Sequence, residues 1–456
     1  MIESIIFFIT IVSSLFLLKH VNGSFSIRYV NGLNYIFYRQ ILISALIGSY
    51  IISLSMEYDR WYSLDWGGPI RFYGFILVCY SSLIILLTYA VLKLIFFRRK
   101  NYPNNLKEVP FTNVRVNVDF IQLVLLLLSL FGFVYIFLNS PSWPMLDAIL
   151  GRNDEALSGR ISFRNDFNGS DFIKNLIAFS SSALYFYISL SRRLIHGDGI
   201  VHFFLSLMLV ILIYTYNSQK GAILNIAIGA LIIYCMVRGF ISIRNFCILI
   251  FLGVLSIITL FSLVKGIPLS YLIDSGGKLI IGRLFLGNIE GFFNSLELFP
   301  HVIDDKTGLV GLPSIFQEAL TGRTQEPSKL LLMKYFDLDG VQNGTSGFIT
   351  SYFMAEAWAN YNILGVLLAP ISIAINIFLV DYVIYKKGKN ILTLTFYAVM
   401  YLQFQLHGEF VGFLYFKYFL YFLVSIAPLL LIYLVFSGSK IIKGYKIANI
   451  DNNPHI

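Results

Sequence analysis

Apolar residues in this chain run in long blocks, and polar residues collect between them. A helix needs roughly 20 consecutive apolar residues to cross a bilayer. Blocks near that length lie at Ile2–Leu18, Tyr35–Met56, Ile70–Phe97, Val118–Leu138, Phe172–Leu190, Val201–Tyr216, Ala222–Val237, Asn245–Val264, Ile363–Ile384, Ile391–Leu406 and Val411–Phe436. The pattern predicts an all-α fold, a polytopic bundle of about eleven transmembrane helices. The first block is read as a retained span, because Glu3 precedes the run and no small-residue cleavage site follows it.

The connections between blocks alternate in charge. One set carries Lys19 with Arg28, Arg98-Arg99-Lys100, Arg192-Arg193, Arg238 with Arg244, Lys386-Lys387 with Lys389, and Lys440 with Lys443. Basic loops stay on the cytoplasmic side, which puts the N-terminus outside and the C-terminus inside. The other set then faces out: Glu57–Pro69, Asn139–Asp171, the turn at Lys220, Lys265–Asn362 and the turn at His407. Three regions follow. Residues 1–264 hold about eight spans and an outer loop at 139–171. Residues 265–362 form a large outer loop, long enough for a cap of short or re-entrant helices. Residues 363–456 hold three spans and a cytoplasmic tail.

Composition sharpens this picture. Of the 456 residues 57% are hydrophobic and 13% charged, against about 25% charged in a soluble domain. Such a chain needs the bilayer as part of its solvent. Its net charge of +9 suits cytoplasmic loops beside anionic lipid and is poor support for nucleic-acid binding. Cys79, Cys235 and Cys247 all fall in apolar blocks, which argues against a disulfide framework or a metal cluster. The sequence has no nucleotide-binding glycine loop and no HExxH, GxSxG or Cys-X-X-Cys pattern.

The outer loops carry cations that the orientation rule does not predict, among them Lys278, Lys329 and Lys334. Lys220 sits at the tip of a turn between two spans. Arg283 lies in the apolar stretch Leu279–Leu286, where a lone guanidinium needs an anionic partner. Arg323 follows an amphipathic stretch and offers a planar fork suited to phosphate oxygens. Arg152, Arg160 and Arg164 share one helical face, with pairing to Asp154 and Glu155 as the alternative. Lys417 lies about 10 Å into the last block, either snorkelling outward or lining a polar cavity. Candidate proton acceptors are Glu356, just before the Ile363–Ile384 span, His407 and Glu409 in the short outer turn, and His301. Asp337-Leu338-Asp339 has the spacing of a metal-binding pair, a spacing also frequent by chance.

Three stretches carry a family resemblance: Asn217-Ser218-Gln219-Lys220-Gly221-Ala222, Gly282-Arg283-Leu284-Phe285, and the run from Gly322-Arg323 through Gly344-Thr345-Ser346-Gly347 to Glu356-Ala357-Trp358-Ala359-Asn360-Tyr361-Asn362-Ile363-Leu364-Gly365. With the topology, they resemble the Wzy-type oligosaccharide repeat-unit polymerases, which include the O-antigen and enterobacterial common antigen polymerases. The likeness is strongest over roughly Ser218 to Leu367. Lys220 stands where arginine is usual, and Tyr361-Asn362 where Phe-Gly is common.

The resemblance implies a GT-C-type glycosyltransferase of the bacterial inner membrane, with a periplasmic active site and neither metal nor other cofactor. Such enzymes move a growing glycan from undecaprenyl diphosphate to the sugar of a second lipid-linked repeat unit. The product would be O-antigen, common antigen or capsule, and partners would be the lipid-linked oligosaccharide, membrane lipid and a chain-length regulator protein. Arg283, Arg323 and Lys220 would hold the departing diphosphate, with Lys417 beneath them and Arg152, Arg160 and Arg164 as further substrate cations. Glu356, then Glu409 or His407, would deprotonate the acceptor hydroxyl. Tyr352, Trp358 and Tyr361 would stack on sugars or sit in an interfacial belt. An O-antigen ligase and a lipid-linked oligosaccharide flippase are the alternatives. Transporters often show inverted repeats, and none is visible here.

Overall fold

The computed structural model describes residues 1–57, 64–97, 103, 105–113, 117–217, 220–249, 251, 253, 255, 282–299, 301–303, 314–322, 326–346 and 348–438. Among these the chain is helical throughout, apart from one isolated bridge between Phe111 and Lys389. The principal helices are α1 (Ile2–Asn22), α2 (Gly32–Ser53), α3 (Gly68–Phe97), α4 (Val118–Asn139), α5 (Asn153–Asn165), α6 (171–196), α7 (Ile200–Thr215) and α8 (Lys220–Arg238). They continue with α9 (Glu290–Leu298), α10 (Ser328–Phe336), α11 (Met354–Lys387), α12 (Ile391–Gln403), α13 (Phe410–Leu414) and α14 (Lys417–Gly438).

Six of these, α1, α2, α3, α4, α8 and α11, are long and apolar enough to cross a membrane by length and composition. With the shorter apolar α7, α12 and α14, this is the pattern of a multi-pass helical membrane protein. Most of the Asn245–Val264 block lies outside the described residues.

The core forms where α11 packs against α3 and α12. Asp381 of α11, fully buried, accepts hydrogen bonds from Tyr401 Oη at 2.6 Å and from Tyr89 Oη. Around it pack Phe378, Tyr397 and Phe404. Buried polar groups of this kind are tolerated because each has a partner. A second layer joins α4, α6 and α7, where Gln122 Nε2 donates to Ser189 Oγ at 3.0 Å.

Part of the large loop enters the core. Helix α9 is buried along nearly its whole length, with Trp66 Nε1 donating to its Asn294 at 2.9 Å. Trp358 Nε1 donates to the Phe299 carbonyl at 2.8 Å and fastens the end of α9 to the start of α11. The Gly282–Leu286 turn packs against α2 at Gly48.

Of two helix breaks, one falls at a boundary read from the sequence and one departs from that reading. Helix α11 starts at Met354 but is interrupted at Asn362, with φ 52° and ψ −141°. The Val411–Phe436 block is likewise divided: α13 ends at Leu414, Phe416 takes φ 53°, and α14 begins at Lys417. Lys417 therefore opens its helix rather than lying about 10 Å inside it. Non-glycine residues at positive φ cost about 1–3 kcal/mol and cluster at sites that need an irregular backbone. The first falls where the Ile363–Ile384 block begins, and the second leaves no mark in the hydrophobic pattern.

Candidate active site

The described helices enclose a cavity of about 830 Å³. Its wall is about half polar, and two segments of π-helix supply several of the polar groups. Arg39, Gln40 and Ser44 lie in the π segment Ile36–Ile47 of α2. Lys174, Asn175 and Phe179 lie in the π segment Lys174–Ser180 of α6. An i→i+5 turn is wider than an α turn, and such turns recur at functional sites. Asn217 and Asn225 come from the start of α8 and the turn before it, Arg164 from α5, and Asn288, Thr350, Gln405 and His407 from loops.

The segment carrying His407 turns back inside the bundle. Helix α12 is only 13 residues long, and the chain leaves it between fully buried Phe404 and Leu406. Gln40 grips this segment at two points: its Nε2 donates to the Phe404 carbonyl at 2.7 Å, and its Oε1 accepts the Leu406 N–H at 2.6 Å. Phe353 N–H donates to the Leu406 carbonyl at 2.7 Å. His407 is thus not the solvated turn residue that an outer loop suggests. Both its ring nitrogens are buried without a hydrogen-bond partner among the described residues. Burial, and secondarily the positive charge of Arg39, push the imidazole down to about 3, so it is neutral.

Cations dominate the charged part of the wall. Arg39 Nη1 donates to Tyr35 Oη at 2.6 Å and to Asn225 Oδ1 at 3.0 Å. No carboxylate pairs with it among the described residues. Lys174 is buried over the rings of Phe163 and Phe167 and pairs with Asp171 at 2.5 Å. Arg164 donates to the Gly344 carbonyl.

Of the residues singled out from sequence, Arg164 and His407 line this cavity. Lys220 opens α8 beside the lining residue Gly221, and Arg283 lies in the turn packed on α2. The side chains of both lie outside the described residues, as does Arg323 altogether. Arg152 pairs with Glu155 at 3.1 Å and Asp147 at 3.6 Å, the internal pairing foreseen as the alternative. Arg160 is half-buried on α5, and burial lowers its pKa. Asp337 is a helix cap, accepting the Gly340 N–H at 2.9 Å.

The remaining candidates gather in a second cluster, apart from the cavity wall. Glu409 lies between two ammonium groups, Lys329 Nζ and Lys417 Nζ, each at 2.8 Å. Burial pushes its carboxyl up, but the two lysines outweigh burial and hold it at about 2. With both oxygens engaged, it is an anchor rather than a proton acceptor. Glu356 is buried, and its Oε2 accepts the Val411 N–H at 3.0 Å, which caps α13 from the neighbouring helix. Tyr361 meets Phe410 edge-on at 6.3 Å. Glu409→Gln is expected to lower the apparent unfolding free energy by about 1–2 kcal/mol, below the 3–5 kcal/mol of a fully buried pair, because the three groups are partly exposed. Unfolding in detergent measures it, and an unchanged midpoint would show that the two lysines do not need the carboxylate.

The sequence reading passed over Arg39 and Lys174. Each interrupts an apolar block, and an ionisable residue at membrane depth is the signal that marks it. The amides carry a weaker signal: Gln40, Asn175, Asn225 and Gln405 also lie within apolar blocks, but an uncharged amide is tolerated there without a charged partner. Compared with protein-family models, with curated proteins and with solved structures, the chain matches none.

Proposed function

We propose that the protein polymerises lipid-linked oligosaccharide repeat units at the periplasmic face of a bacterial inner membrane, with about eleven spans in a GT-C-like bundle. The observation that carries this reading is the cavity: cations and amides line a chamber enclosed by apolar helices. The amides suit sugar hydroxyls, and the cations suit a diphosphate leaving group.

In the proposed reaction the bond between the anomeric carbon of the growing glycan and its diphosphate oxygen breaks. A hydroxyl oxygen of the acceptor repeat forms the new bond, and its proton passes to a base. Arg164, Lys174 and Arg39 stabilise the charge that develops on the diphosphate. Lys220, Arg283 and Arg323 add to them from the turns identified in the sequence. The base proposed first is His407, whose neutral imidazole lines the cavity with neither nitrogen engaged. A bound anion offsets the field of Arg39 and so raises the affinity of that imidazole for a proton. Glu356 positions the segment through Val411, and Glu409 with Lys417 braces it.

In a host lacking its own polymerase for a matching repeat unit, the wild-type chain is expected to restore long glycans. His407→Ala, and separately Arg283→Ala with Arg323→Ala, should leave single repeats on the lipid carrier. If purified wild-type protein in nanodiscs failed to elongate its lipid-linked repeat unit, the reading would be wrong. Normal chain lengths from His407→Ala would remove that residue as the base.

A further inference from the structure

Resting on this reading, we propose that Arg39, inside the second helix, anchors a phosphate-class subsite for a diphosphate that carries a hydroxyl-rich group. The residue lies 7 positions after Gly32 and 14 before Ser53, the two ends of α2, so about 10 Å along the helix axis from the nearer end and about 20 Å from the other. A guanidinium so deep needs a strong partner, because burying an unpaired charge is costly. The described residues supply no acid. Both hydrogen bonds it makes leave from Nη1, to Tyr35 and Asn225. Its Nε and Nη2 are uncommitted, and these two form the edge that binds an oxyanion through two parallel N–H groups. Lys174 in the same cavity is already paired with Asp171.

A second demand lies close by. Asn217 lines the cavity with 8% exposure, and its Oδ1 is buried with no donor among the described residues. The His407 nitrogens are likewise unmatched. A phosphate oxygen cannot satisfy Asn217 Oδ1, since two acceptors repel. A hydroxyl can. The cavity therefore asks for an oxyanion at Arg39 and for O–H groups beside it, the composition of a sugar diphosphate. The cavity volume of about 830 Å³ is large for an ion alone and falls within the range of pockets that hold organic ligands.

The test uses the full chain in nanodiscs and three probes: undecaprenyl diphosphate, undecaprenyl diphosphate bearing N-acetylglucosamine, and inorganic pyrophosphate. Arg39→Gln removes the charge and keeps a polar, though shorter, side chain. It is expected to weaken both lipid probes at least tenfold. Arg39→Lys keeps the charge, loses the fork and should fall between. Asn217→Leu should weaken only the sugar-bearing probe. Unchanged binding of every probe by both Arg39 variants would overturn the site, and an equal effect of Asn217→Leu on both lipids would overturn the hydroxyl half. Pyrophosphate bound in an Arg39-dependent way would assign the anion to a soluble source, and lipid-only binding would assign it to the carrier headgroup. Arg39-dependent binding without chain elongation by the wild type would leave this site standing and remove the polymerase reading. Elongation that ignores Arg39→Gln would do the reverse.

Discussion

Asp381→Leu is expected to destabilise the protein by about 2 kcal/mol in detergent, and Asp381→Asn by less than about 1 kcal/mol. The carboxylate is fully buried and accepts hydroxyl donors from two other helices, Tyr89 of α3 and Tyr401 of α12. It also attracts the Lys93 ammonium. Leucine fills the volume but strips both phenols of their acceptor. In water two orphaned buried donors would cost about 2–6 kcal/mol. Interhelical hydrogen bonds in membrane proteins average nearer 0.6 kcal/mol, with a maximum of about 1.7, because helices separated in the membrane find other partners. The smaller figure governs here, with some addition for Lys93. Asparagine keeps one acceptor, and a phenol can rotate to accept from its amide. Reversible unfolding in mixed micelles reads the difference. A wild-type midpoint for Asp381→Leu would show that the α3–α11–α12 contact does not depend on this carboxylate.

The second large effect is expected at Gly48. A Cβ there would stand 2.0 Å from the Phe285 carbonyl oxygen and 2.8 Å from Ile289 Cγ2. The nearest obstacle is backbone, which cannot swing aside. At Gly74, by contrast, the obstacle is the Phe293 ring, at 2.5 Å. Overpacking of this kind costs about 1–3 kcal/mol, and Gly48→Ala should lie at the upper end with Gly74→Ala below it. The displaced turn carries Arg283. Under the proposed function Gly48→Ala therefore also shortens the glycan, even in protein that remains folded. Unfolding midpoints and glycan ladders from the two variants measure both effects. If Gly48→Ala matched the wild type in stability, the 282–289 segment would not be held against α2 as described.

The helices were legible because lipid leaves few choices: a spanning segment must be apolar over most of its length. Where the chain departs from a straight span, the sequence says less. The break at Asn362 coincides with the start of the Ile363–Ile384 block, but Phe416 breaks its block at positive φ without being glycine or proline. The turn at His407 was legible, but its burial was hidden, although Phe404, Leu406 and Phe410 continue the apolar composition on both sides of it. Glu409 and Lys417 meet across a helix break rather than along a helix face, so their spacing of eight carried no sign of pairing. Arg39 was legible in principle. It is a charge within an apolar block. The cluster of amides became visible only when five separate parts of the chain were brought together.

The twelve-residue wide-turn segment of α2 has a consequence for any change in chain length. A spiral with a surplus residue keeps two azimuths at once: Gly48 faces the Phe285 carbonyl, while Arg39 keeps its bearing toward Asn225. Removing one amino acid between these positions while the wide turns persist would swing one half of the rod by about 100° against the other. Both alignments then survive such a deletion only if the segment tightens to the ordinary pitch.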